Sequence, residues 1–278
     1  MISLVVYGRN DSYGYNLHKR AALSLNCMAE MLADDDDEII FVDYNSPNDH
    51  PTFPEAIRDT LTQKVCRKLR ILRVRPRVHE RYRHSTPLPV LEAVARNVGI
   101  RRSRSTNRWV LSTNTDMIFV SLSGRSLSEI ARDLPRGLYH APRIEVPETL
   151  WESLDRTDPR AAIEAMESWG RDLHLNEIVR TDKVLYDGPG DFQLIDRHDL
   201  HANQGFHEGM LLGWHLDSNL AVRTKLLYGA ISDLGSEVFG YHCDHTRQLT
   251  LSHGPARLEN SWARFIDGVE RPDIPEQA

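Results

Sequence analysis

Short β-branched runs that alternate with helical spacing constrain this chain more than any other feature. Ile2–Tyr7 (ISLVVY) ends at Gly8, and Leu17, Ala21, Leu25, Met28 and Leu32 then recur three or four residues apart. Glu38–Asp43 (EIIFVD) closes on Asn45, Ser46 and Pro47, Leu69–Val74 reads as a third strand, and Pro87–Val98 reads as a helix. A fourth strand, Trp109–Thr113, runs directly into Asn114-Thr115-Asp116. Such alternation predicts an α/β fold, with a mostly parallel central sheet and helices on both faces. Further on, the pattern predicts a strand over Leu138–Ile144 and a helix over Pro159–Leu173 with Ala162, Ala165, Met166 and Trp169 on one face. A strand over Asp191–Ile195, a helix over Ser218–Tyr228 and a late strand over Glu237–His242 follow. No linker divides the 278 residues, so one domain is expected over 1–258, with a tail over 259–278 that carries Pro272 and Pro275.

In an open α/β sheet, ligands bind outside the carboxyl ends of the strands, so polar residues that follow a strand are the first candidates. Four groups qualify: Arg9, Asn10 and Asp11; Asp43 and Asn45; Asn114 and Asp116; and His242, Asp244 and His245. Taken singly, each also reads as a turn or cap residue, because Asn and Asp hydrogen-bond their own backbone there. Either histidine also reads as a surface or satisfied core residue.

Charge and cysteine content narrow the function classes. A formal net charge of −6 opposes a nucleic-acid footprint, which needs a net basic face. The cationic stretch Arg67–Arg83 and the run Arg101, Arg102, Arg104, set against the acidic block Asp34–Glu38, read either as solvated faces or as a local basic patch. Cys27, Cys66 and Cys243 are odd in number and widely spaced, which indicates neither a disulfide framework nor a thiolate metal site. No window approaches 18 apolar residues, and MISLVVYGRND lacks a secretory pattern. A cytoplasmic location is the expectation, with peripheral attachment to the inner membrane face as a variant of it.

Six segments carry a resemblance over roughly residues 1 to 250: VVYGRNDSYG, FVDYNSP, EAVARNVGIRRSR, VLSTNTDMIF, GDFQLIDRHDL, and HLDSNL with GYHCDH. Their order resembles that of the inverting, family-2-like glycosyltransferases of the GT-A (Rossmann-like) fold. The resemblance implies a nucleotide-sugar donor, UDP- or GDP-linked, and a divalent Mn²⁺ or Mg²⁺. The acceptor it implies is a sugar, a lipid-linked glycan or a small molecule, and polysaccharide biosynthesis is one setting; homodimer formation stays open. It places Asp11 and Asp43 at the base and ribose, with Arg9 beside them, and Asn97 with Arg101 or Arg104 near the pyrophosphate. A carboxylate can accept from a base N–H or a ribose hydroxyl, and an arginine fork suits phosphate oxygens. Asn97 also reads as a helix C-cap before Gly99.

Asn114-Thr115-Asp116 stands where such enzymes carry an acidic DxD motif, with Asn in place of the first acid. The resemblance thus gives Asp116, with His242 or His245, as metal ligands. It gives Asp217 in GWHLDSNL as the catalytic base, although Leu216 replaces the acid expected before it. Asp217 also reads as a helix N-cap. His215 is the fallback base, Asp191 belongs to the sugar or acceptor pocket, and Trp214 is a sugar platform or a core residue. Two rivals follow from the departures: a non-catalytic nucleotide-sugar-binding module, and a sugar nucleotidyltransferase, whose Gly-rich opening loop VVYGRNDSYG lacks.

Overall fold

A computed structural model describes residues 1–11, 16–170, 190–213 and 215–245. Within them run ten strands: β1 Ile2–Gly8, β2 Glu38–Tyr44, β3 Leu69–Val74, β4 Trp109–Ser112, β5 Met117–Ser121, β6 Leu138–His140, β7 Arg143–Val146, β8 Gln193–Asp196, β9 Ser232–Asp233 and β10 Val238–Cys243. A seven-stranded sheet has the order β3-β2-β1-β4-β8-β6-β9, and a three-stranded sheet the order β5-β10-β7. β3, β2, β1 and β4 are mutually parallel, while β8 lies antiparallel between β4 and β6. The larger sheet is therefore mostly parallel with helices on both faces, as the alternating pattern predicts.

β1 and β2 are apolar almost throughout because both of their faces are covered. Ile2, Leu4 and Val6 pack with Ala21, Leu25 and Met28 of the helix Leu17–Met31. Val5, Ile40 and Val42 pack on the other face with Val94 and Ala95 of the helix Glu92–Arg101, and with Leu216 and Leu220 of the helix Leu216–Tyr228. Gly99 lets the helix Glu92–Arg101 settle onto this face, since a Cβ there would come within 2.4 Å of Val5 Cγ1. It is a packing residue inside the helix rather than the end of one. The smaller sheet packs against Trp151 and Met166. No described helix is long and apolar enough to cross a membrane.

Several boundaries differ from the sequence expectation. The strand expected over Leu138–Ile144 is two strands in two sheets, β6 and β7. The break falls at Pro142, which has no N–H for a ladder, and its carbonyl instead accepts from Gly240 N. β5 went unread because it follows the turn at Asn114–Asp116 without any break in composition. The helix expected over Pro87–Val98 begins only at Glu92, after a stretch rich in Pro, and the helix expected from Ser218 begins at Leu216. The helix expected over Pro159–Leu173 ends at Trp169, where Gly170 takes the C-cap position at φ 103°; the tail boundary at 258 lies outside the described residues.

Candidate active site

Parallel strands bring β1, β2 and β4 to a common carboxyl edge, and there the polar side chains collect. At the end of β2 the buried Asp43 Oδ1 accepts from Ser46 Oγ (2.6 Å) and Phe53 N (2.9 Å), with Arg73 Nε 3.6 Å from Oδ2. Burial raises its carboxyl above the usual range, against those hydrogen bonds and Arg73. After β1, Arg9 pairs with Asp11 and donates to the Pro89 carbonyl, which also accepts from Asn45 Nδ2.

Arg96 is the hub of the next cluster. Its guanidinium is buried and donates to Glu92, Ser112 Oγ (2.6 Å), the Thr113 carbonyl (3.1 Å) and Asn114 Oδ1 (2.5 Å), between the rings of Tyr7 and Phe206. Asn114 Nδ2 donates in turn to Asp191 Oδ1 (2.5 Å). A guanidinium only donates and a carboxylate only accepts, so one orientation of the amide satisfies both. The Asn at the first DxD position has a physical reason: a carboxylate there would face Asp191.

From Asp191 the network continues. Arg143 NH1 donates to Asp191 Oδ2 (2.6 Å), and Arg143 NH2 pairs with Glu145. Glu145 Oε2 lies 2.6 Å from His242 Nδ1. That contact leaves His242 Nε2 facing Asp116 Oδ2 at 3.5 Å, while His245 Nε2 lies 3.4 Å from the same oxygen and Arg20 Nε 3.5 Å from it. Burial alone would raise the Asp116 carboxyl, but His242, His245 and Arg20 hold it well below its usual range. Burial likewise works against a charged His242, yet Asp116 and Glu145 lift it to about 9. Glu145, which burial would raise, is brought down to about 2 by His242 and Arg143.

Asp116, His242 and His245 offer ligand atoms that all lie within 4.8 Å of one another. A carboxylate oxygen and two imidazole nitrogens, one imidazole anchored through its other nitrogen by a carboxylate, fit a divalent ion of the Mn²⁺ type.

Asp217 stands across the edge, in the first turn of the helix Leu216–Tyr228, where its Oδ1 accepts from Ser218 N (2.9 Å). His215, in the left-handed conformation (φ 58°), occupies the N-cap position, so Asp217 is not the cap. Gly190 lies against the carboxylate; a Cβ there would come within 2.8 Å of Oδ2. Burial, with Glu92 and Asp191 nearby, pushes Asp217 up to about 7, against the Ser218 N–H and Arg96.

No family model and no curated protein sequence matches the chain. Solved structures do. S. aureus TarS 1-349 in complex with UDP matches at 14% identity and TM-score 0.56, over 97% of this chain and 64% of that one. The same protein with UDP-GlcNAc matches at 15% and 0.55, over 89% and 59%. GalNAc-T7 with UDP, GalNAc and Mn²⁺ matches at 11% and 0.56, over 99% and 52%. Both proteins are GT-A glycosyltransferases. The fold is GT-A. At these identities the likeness is one of fold, and the chain spans about half to two thirds of the length of each solved chain.

Within this GT-A frame the expected site residues separate. Asp116, His242 and His245 converge, and Asn114, Asp191 and Asp217 lie along the same edge. Three others take a different place. Arg104 pairs with Asp36 and with Glu38, the first residue of β2, which puts it at the opposite end of the sheet from the crevice. It cannot serve a pyrophosphate there. Arg101 is exposed and pairs with Glu208 (2.7 Å), and Asn97 is buried, exchanging hydrogen bonds with the Phe206 backbone and donating to Glu208. Both fasten the 206–208 loop to the helix, and neither caps it. Trp214 lies outside the described residues, and His215 stands at the N-cap of the helix that carries Asp217. Sequence reasoning passed over Arg96, one residue before Asn97 and four after Glu92, and over Arg20, Arg143 and Glu145, which sit inside elements rather than after them.

Proposed function

We propose that the chain is a glycosyltransferase that moves a sugar from a nucleoside-diphosphate donor onto an acceptor hydroxyl with inversion. The observation that carries this reading is the convergence of Asp116, His242 and His245 on one side of the crevice, with the raised carboxyl of Asp217 on the other. Asp116, His242 and His245 would hold a divalent ion, Mn²⁺ or Mg²⁺, which when bound neutralises charge on the leaving diphosphate. Arg20 adds a fixed positive charge beside Asp116. Asp11, with Arg9, and the floor built on Asp43 would receive the base and ribose of a UDP- or GDP-linked donor. Asp217 would take the proton of the attacking hydroxyl at its carboxylate oxygen, a role worth roughly 10²–10⁴-fold. Arg143 and Asn114 would hold Asp191 at the sugar or acceptor pocket between them. The acceptor class stays as broad as a sugar, a lipid-linked glycan or a small molecule.

Hydrolysis or transfer of UDP-linked and GDP-linked sugars, measured with Mn²⁺ and with EDTA, tests the reading. Turnover that EDTA abolishes supports it, whereas nucleotide binding without turnover points to the non-catalytic module that Asn114 and Leu216 suggest. Asp116→Ala should remove the Mn²⁺ dependence of nucleotide binding; an unchanged response to Mn²⁺ would show that Asp116 is not a ligand.

A further inference from the structure

The fold divides the basic stretch Arg67–Arg83 in two, and of its arginines Arg73 stands against Asp43. At the amino end of the edge strand β3, Lys68 donates to the Asp34 carbonyl and Arg70 pairs with Glu38, so this half is balanced by the acidic block. Beyond Val74 the position is different. Arg75, Arg77 and Arg81 are exposed, and among the described residues none of the three has an ion-pair or side-chain hydrogen-bond partner. Arg70, Arg101, Arg104, Arg125, Arg132 and Arg136 each meet a carboxylate; Arg58, Arg67 and Arg102 are, among the described residues, exposed and unpaired like the rim arginines, but at separate places along the chain. Residues 75–84 carry four arginines against the single acid Glu80, on a chain whose net charge is −6.

These arginines stand on a fixed base. Val78 and Tyr82 pack onto the core beneath, and the His79 ring stands edge-on to Tyr44 with centroids 5.6 Å apart. The chain then passes over the ends of β1 and β2, where Arg9 and Asn45 hold the Pro89 carbonyl. The basic rim thus borders the crevice on the β3 side. Ile71, one of the few exposed large hydrophobic side chains among the described residues, lies on the same edge strand.

We propose that this rim docks the chain onto an anionic lipid bilayer. Three unpaired, exposed arginines within seven residues, backed by the packed Val78 and Tyr82, match a negatively charged surface by charge, and each such cation adds to the attraction. An anionic acceptor polymer fits less well. β3 is separated from β4 by three strand spacings, about 14 Å, so a polymer seated on the rim would have to cross the nucleotide to reach Asp217. Charge and exposure carry the docking itself, while the preference for a bilayer over an acceptor polymer rests on the nucleotide placement proposed above.

Sedimentation of the full chain with lipid vesicles tests it. Binding is expected to phosphatidylcholine vesicles that contain about 30 mol% phosphatidylglycerol and not to phosphatidylcholine alone, and about 0.5 M salt should suppress it. The triple variant Arg75→Gln/Arg77→Gln/Arg81→Gln should lose about a hundredfold in partitioning, at roughly the value of one screened charge contact per arginine. The matching triple Lys variant, which keeps the charge, should bind like the wild type. Arg58→Gln/Arg67→Gln/Arg102→Gln, an equal change of net charge at exposed positions away from the rim, should also bind like the wild type. Thermal melts of all three confirm that they fold. Equal binding to neutral vesicles, undiminished binding by the Gln rim variant, or equal loss in the control variant would each overturn the proposal. Tighter binding to a short RNA than to the anionic vesicles, lost in the same rim variant, would replace the bilayer with a nucleic acid.

Discussion

Asp217→Asn separates what the carboxylate would do in the proposed reaction from what it costs the fold. The carboxyl rises from 3.8 to about 7, chiefly because burial penalises its charge. The folded state therefore holds the proton more tightly than the unfolded chain does. A carboxyl with a raised folded value is no burden below pH 4, and progressively destabilises the fold as pH climbs to about 7. Complete burial would make the penalty about 4 kcal/mol, but Asp217 is only half-buried, and solvent screening brings that to about 2 kcal/mol. Asparagine has the same shape, fits against Gly190 and can still accept from Ser218 N. The variant should thus be more stable than the wild type by about 2 kcal/mol at pH 8, with the gain vanishing near pH 4. Turnover should fall to less than a tenth, an effect above roughly 1.4 kcal/mol, while donor affinity stays nearly native. Urea denaturation between pH 4 and 9, together with kcat and nucleotide titration, reads both. No stability gain at pH 8 would refute the desolvation argument; retained turnover would remove Asp217 as the base and turn attention to His215.

Asn114→Asp should destabilise the fold by about 1.5–3 kcal/mol through loss of the donor to Asp191, more at pH 8 than at pH 5 because adjoining carboxyls must share a proton; equal stability at both pH values would contradict the amide's bridging position. Glu145→Gln should weaken Mn²⁺ binding by about 10–100-fold in calorimetry by releasing the orientation of His242, and unchanged affinity would dissociate Glu145 from the metal. Asp11→Ala should weaken UDP binding by about 1.5–3 kcal/mol. Arg104→Ala, at the far end of the sheet, should leave it unaltered, and the reverse pattern would sink the placement of the nucleotide.

The fold was legible where one strand meets solvent-free surroundings on both sides. ISLVVY and EIIFVD could only be buried strands, and the polar residues after them, with Asp116, could only lie at the carboxyl edge. Two kinds of residue stayed hidden. The resemblance put Arg104 near the pyrophosphate, yet the helix Glu92–Arg101 runs back along the sheet and carries the turn after it to the opposite edge. Arg96, Arg143 and Glu145 lie inside a helix and a strand, where no sequence pattern singles them out, and only the sheet pairing of β7 with β10 sets Glu145 beside His242. His242 and His245 were visible because they end a strand, but the sequence did not show that both would point at one carboxylate oxygen.

The hydrogen-bonded line from Glu92 through Arg96, Asn114, Asp191, Arg143 and Glu145 to His242 alternates donors and acceptors at every step, so its members are not free to vary one at a time. A search for relatives that scores each position separately, or that insists on two acids around Thr115, will pass over chains built this way. The informative signature is a correlated one. A homologue that regains an acid at position 114 should have surrendered the acid at 191, and one that keeps Asn114 should keep an acid at 191 and a base at 143.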